Sequence, residues 1–143
     1  KIQQLNQIKQ TMSYSIKKIY LLNATPQEVF QLLTDSKKIK AWSGQTGKVA
    51  PRIGGTFSMF DNWVKGKVLA FTPGKKLSYT WRASEWPEDW ADSEVTYSLT
   101  KTATGSKVLL DHSKLPNQKE MDGHKEGWDV YFFDPIKEYL EKK

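Results

Sequence analysis

Leu77, Tyr79 and Trp81 stand at every second position with Lys76, Ser78, Thr80 and Arg82 between them. Val95, Tyr97 and Leu99 repeat the pattern, and Val108, Leu110 and His112 repeat it again. A period of two marks a strand with one face in a core and the other in water. Turn residues punctuate the runs at Gly54-Gly55, Asp61-Asn62, Pro73-Gly74 and Thr104-Gly105. With residues 15–22 (SIKKIYLL) as a first strand and Thr56–Phe60 and Trp63–Phe71 as further ones, the pattern predicts about six antiparallel strands.

Two stretches break this grammar. Thr25-Pro26-Gln27-Glu28 sets an N-cap, a proline at the first helical position and a glutamate three residues after the cap. It predicts a helix with Val29, Phe30, Leu32 and Leu33 on its apolar face. Asp35 or Ser36 then caps a second short helix carrying Ile39 and Trp42. The final segment, starting at His124, returns to helical spacing: Trp128, Phe132, Ile136 and Leu140 recur at steps of four, flanked by Tyr131, Pro135 and Tyr139. Pro135 cannot donate to the carbonyl of Tyr131, which predicts a bend there. The fold class is therefore α+β, with a curved antiparallel sheet gripping a long C-terminal helix and two short helices after the first strand.

A chain of 143 residues suits one domain. Residues 1–14, polar and Gln-rich, read as a flexible leader or a non-native remnant, with Met12 as a possible original start, and residues 15–143 read as the single domain. Apolar residues form 38% of the chain and aromatics 13%, six of them tryptophan, the profile of a packed globular core. No run approaches the roughly 18 apolar residues of a membrane span, and the N-terminal residues lack the apolar stretch of a secretory signal, so the expected location is cytoplasmic. The absence of cysteine removes disulfides and thiolate chemistry. Residues 1–76 hold 13 Lys or Arg against 3 acids and residues 77–143 hold 9 against 13. The excess is mostly lysine spread over several elements, without a basic helix or RNA-reading aromatic motif, so no nucleic-acid partner is expected.

The motifs ATPQEVFQLLTD followed by Trp42, then RIGGTFSMF, GKVLAFTPGKKLSYTW and HKEGWDVYFFDPIKEYLEK, resemble in order and spacing the Hsp90 ATPase activator homologues. These form a branch of the Bet v 1-like or START-like helix-grip superfamily. The resemblance covers roughly residues 15–142 and only the part that corresponds to the activator's C-terminal domain. It implies a cavity between sheet and helix of the kind that holds lipids, hormones or polyketides in various relatives. It also implies, as an alternative, an Hsp90-type chaperone as partner, and as a second alternative a small cyclase-like enzyme.

The inward residues named by periodicity line either a filled core or a hollow one, because both need the same apolar side chains. Polar tips among the bulk favour a cavity wall. The expected ligand-binding residues for a small hydrophobic molecule are Trp42, Phe57, Met59, Tyr79, Trp81, Tyr97, His112, Trp128 and Phe132. His112 and His124, the only histidines, do not make a zinc site without further ligands, and no cofactor or metal is expected. Asp111 points away from His112 on the opposite face of the strand, which argues against a catalytic pair, and His124 reads as solvent-facing or capping. Trp86 and Trp90, four apart among five acids, read either as rings tucked onto the sheet edge or as a partner-binding spot. No nucleophile elbow, phosphate loop or dinucleotide motif is present, so the expected function is binding, with no catalytic residue assigned.

Overall fold

The computed structural model describes residues 14–142; the leader expected over residues 1–14 lies, except for Tyr14, outside the described residues. Strand β1 (Tyr14–Leu22) leads through α1 (Pro26–Thr34) and α2 (Ser36–Ser43) to β2 (Lys48–Val49). Then follow β3 (Thr56–Met59), β4 (Val64–Thr72), β5 (Lys76–Ala83), β6 (Ser93–Lys101) and β7 (Ser106–Leu115). The strands form one antiparallel sheet of seven in the order β1-β7-β6-β5-β4-β3-β2. The seventh, two-residue β2, carries no period and escaped the sequence reading. Because β1 and β2 occupy opposite edges, α1 and α2 carry the chain across the sheet.

Local chemistry explains the helical connection. The Thr25 hydroxyl accepts from the Glu28 amide and the Glu28 carboxylate accepts from the Thr25 amide, both at 3.1 Å. Asp35 caps α2 by accepting from the amides of Lys37 and Lys38. One face of each short helix is buried: Val29, Phe30, Leu32 and Leu33 in α1, Ile39 and Trp42 in α2. Trp42 also ties the two together, its indole N–H donating to the Leu32 carbonyl at 2.7 Å.

The C-terminal helix has three segments: α3 (Gln118–Gly127), a π-helical turn (Trp128–Phe133) and α4 (Asp134–Glu141). It begins six residues before the expected start. Asn117 caps it by accepting from the Glu120 amide at 2.9 Å, and α3 itself buries nothing completely, so its apolar period is silent. Where a bend was expected at Pro135, the helix carries a π turn immediately before it. The Asp134 amide donates five residues back to Asp129, and Pro135 falls in the first turn of α4, where its missing N–H costs nothing. The extra residue lets Phe132 and Phe133 both turn inward beside Trp128 and Ile136. Phe133 was absent from the expected stripe, and Tyr131, expected to flank it, is 65% exposed.

The inward positions of the sheet meet this helix in one core. Phe57 stacks on Tyr79 at 3.6 Å, Trp128 packs against Trp81 and Tyr97, and Tyr20 stacks on Phe133 at 3.8 Å. Lys18 and Tyr20 of β1 fasten the helix from the side through Asp129, at 2.9 and 2.6 Å. Between β4 and β5 the ladder breaks at Gly66: a Cβ there would lie 1.8 Å from the Thr80 carbonyl oxygen, so only glycine permits this approach.

The β3–β4 turn is under strain. Phe60, Asp61 and Asn62 have φ of 54°, 55° and 70°, a left-handed run with no glycine in it. Asp61 pins it, accepting from the Thr46 amide at 2.8 Å and the Thr46 hydroxyl at 2.9 Å, while its own amide donates to the Thr46 carbonyl. These bonds to Thr46, the backbone one first, hold the Asp61 carboxyl below its ordinary value.

Two outcomes follow. Trp128→Ala removes a fully buried ring from the helix–sheet junction and is expected to lower unfolding free energy by about 3–5 kcal/mol in urea titration; an unchanged midpoint would contradict the packing described. For Asp61, a depressed folded pKa means that its stabilising effect is present above the unfolded value and is lost as pH falls through the folded one. The Thr46 amide resonance is expected to titrate with a midpoint below 3.8, and Asp61→Asn is expected to abolish that titration. A midpoint at or above the ordinary value would refute the pinning.

Candidate binding site

Because α3 starts at Gln118, Glu120, His124 and Trp128 rise one turn apart on the same side of the helix. That side faces the sheet across a cleft of about 620 Å³. Its apolar walls are Phe60 and Trp63 from the strained turn, Trp81 from β5, and Trp128, Tyr131 and Phe132 from the π turn. Gln45, Lys119, Glu120 and His124 supply the polar groups. Gly123 and Gly127 form part of the helix wall. A Cβ on Gly123 would meet nothing within 4 Å and one on Gly127 only the Tyr131 ring at 3.7 Å. Gly127 has ordinary helical φ and ψ, so its backbone does not demand glycine. Two helical glycines cost about 1 kcal/mol each relative to alanine; here they leave open space.

Beneath the cleft runs a chain of fixed hydrogen bonds. The Trp128 indole N–H donates to Nδ1 of His112 at 3.1 Å, so that nitrogen carries no proton. The neutral ring then donates from Nε2 to the Ser93 hydroxyl at 2.8 Å, and Ser93 donates to the Trp81 carbonyl at 3.0 Å. Burial, and secondarily the neighbouring His124, push the His112 imidazole well below its ordinary pKa. It is therefore neutral at pH 7, which the bonding pattern requires.

His124 corrects the expectation of a solvent-facing or capping residue. The early helix start turns it inward, and its ring packs against Trp63, Trp81 and Trp86, 5.2 Å from the His112 ring. The Trp81 indole N–H donates to its Nε2 at 3.1 Å, and Nδ1–H donates to the Glu120 carbonyl at 2.8 Å. Both nitrogens of both imidazoles are thus occupied, and neither histidine offers a free one to the cleft. Among the described residues no group of three or more His, Asp or Glu is placed to hold a metal ion.

Of the nine residues expected to bind a ligand, Trp81, Trp128 and Phe132 line the cleft. His112 lies directly behind it. Phe57, Met59, Tyr79 and Tyr97 are in the packed interior, where the Tyr79 and Tyr97 hydroxyls bond each other and burial raises both pKa values. Trp42, on the buried face of α2, packs against Phe132. Trp86 is 6% exposed, its N–H donating to Glu120 at 2.9 Å, while Trp90 lies half-buried against it. Arg82 holds their loop through Asp92 at 2.7 Å and the carbonyls of Pro87 and Trp90. Sequence reasoning missed Gln45, Phe60, Trp63, Lys119, Glu120, Gly123, His124, Gly127 and Tyr131. Asn117 with Glu120 at its third position was the signal that would have lengthened the helix and exposed this face.

Among the described residues no helix is long and apolar enough to cross a membrane. Comparison with known proteins agrees with the architecture. A structure from Mesorhizobium loti superposes with a TM-score of 0.78 at 26% identity, covering 90% of this chain and 98% of that one. A Plasmodium falciparum protein described as an HSP90 activator gives 0.76 at 26% identity, covering 91% and 96%. In sequence, the human activator of 90 kDa heat shock protein ATPase homolog 1 is 23% identical over 128 residues, 90% of this chain and 37% of the relative. An uncharacterized Schizosaccharomyces pombe protein is 27% identical over 123 residues, 85% and 36% respectively. The chain thus spans about a third of the length of these curated relatives. The family described as Activator of Hsp90 ATPase homolog 1-like protein matches residues 23–141, most of the chain. With its curved antiparallel sheet closed around a long C-terminal helix, the chain belongs to that family.

Proposed function

We propose that the chain is a cytosolic binding domain that takes a small apolar or amphipathic molecule in the cleft between the sheet and the first half of the C-terminal helix. The observation that carries this is the cleft itself: about 620 Å³ of space with six aromatic walls and a few converging polar groups. That size and composition fit a small-molecule site. The two glycines support the reading, because α3 forgoes helix propensity where side chains would otherwise fill the space. Trp81, Trp128 and Phe132 are the direct contacts, and His112 with Ser93 holds Trp128 in place behind them.

Native mass spectrometry of the chain purified from its own host is expected to show a retained molecule. Gly123→Leu, which has room for its side chain and improves the helix, is expected to eliminate that molecule while leaving the melting temperature equal or higher. Retention of the molecule by this variant, or an empty native chain, would overturn the reading.

A second reading is supported by the family itself, whose relatives are named as activators of the Hsp90 ATPase. In it the surface binds an Hsp90-type chaperone, with half-buried Trp90 and the acids around it as the accessible part of the expected partner loop. Pull-down with the host's Hsp90 is expected to recover the chaperone equally with wild type and Gly123→Leu if the surface carries the contact. Recovery of nothing would remove this reading.

A further inference from the structure

We infer that the ligand of the cleft is a planar aromatic anion, with Lys119 selecting its charge; the inference rests on the ligand reading above. Every apolar side chain lining the cleft is aromatic: Phe60, Trp63, Trp81, Trp128, Tyr131 and Phe132. Among the described residues no Leu, Ile, Val or Met contributes. Flexible alkyl chains are matched by adaptable aliphatic or Met-rich walls, whereas rings gain from offset or edge-on contact with other rings. The helix side of the cleft is bare backbone at Gly123, and backbone touched only by Tyr131 at Gly127, a strip where a flat face can lie close.

The polar groups divide by depth. The two imidazole nitrogens of His124 and the Glu120 carboxylate are already engaged, the latter by the Trp86 N–H. Lys119, by contrast, lies at the exposed start of α3 and has no ion-pair partner among the described residues. The Tyr131 side chain, about three turns further along the helix, is largely exposed in the cleft wall. An aromatic body with a carboxylate at its outer end uses the ring walls and meets the free ammonium. Charge-assisted hydrogen bonds of this kind are about twice as strong as neutral ones.

Titration of the full chain with 2-naphthoate, its neutral isostere 2-naphthamide, and decanoate tests this by calorimetry. Naphthoate is expected to bind about tenfold more tightly than either comparison probe. Lys119→Glu is expected to abolish the preference for naphthoate over naphthamide at an unchanged melting temperature, which separates a charge effect from misfolding. Decanoate binding as tightly as naphthoate would overturn the aromatic class while leaving the cleft as a ligand site. An undiminished naphthoate preference in Lys119→Glu would overturn the role of the lysine. If none of the three binds, yet protein from the host carries a molecule that Gly123→Leu excludes, the aromatic anion falls and the cleft reading survives. If no host molecule is retained either, both fall.

Discussion

An indole N–H can only donate, and this one-way constraint at Trp128 organises the centre of the molecule. It obliges His112 to present a bare Nδ1, which sends the ring's proton to Ser93 and the Ser93 hydrogen to the backbone of β5. The same polarity recurs one turn earlier, where the Trp81 N–H fixes His124 as an acceptor at Nε2. Two tryptophans thereby set the tautomers of two histidines, and four rings from the sheet and the helix become one hydrogen-bonded block. Buried polar groups that are fully satisfied in this way rigidify a core without an unpaired penalty. The helix is located by direction as well as by apolar contact.

The cleft exists because this block seats the helix at the π turn while α3 stays bare. Downstream, Phe133 and Ile136 close the interior against β1 and α2. Upstream, glycines and polar residues leave it open. The opposite wall depends on a turn whose backbone is unfavourable, since three successive left-handed residues without glycine persist only when something outside the turn holds them. Asp61 and Thr46 do so, and the result is that Phe60 and Trp63 lean over the opening.

Much of the fold was legible in the sequence because its periods are clean. Leu77, Tyr79 and Trp81 announce β5, the Thr25–Glu28 box announces α1, and Trp128 with Phe132 announces the inward face of the last helix. What escaped lacked a period or violated one. Strand β2 has two residues, α3 buries no residue completely, and the inserted residue of the π turn moves Phe133 inward against the expected step of four. The site was harder still. Tyr79 and Tyr97 have the apolar, polar-tipped character of a cavity wall, yet their hydroxyls satisfy each other inside the core, with Phe57 stacked on Tyr79. The open space instead adjoins residues such as Gly123 and Lys119, whose types carry no sign of it. Alternation tells which side chains turn inward but not whether their shapes fill the interior.

The π turn makes the two ends of the terminal helix answer to different frames. Each helical residue advances the side-chain direction by about 100°, so the added residue acts as a phase correction between α3 and α4. Shortening the turn by one position would restore a regular helix and swing Ile136 off the core, or, if Ile136 stayed seated, would carry His124 and Glu120 out from under Trp81 and Trp86. The length of the segment from Trp128 to Phe133 is therefore coupled to both the closed and the open half of the interior. Substitution within it is constrained residue by residue, whereas insertion or deletion is constrained by geometry across the whole domain.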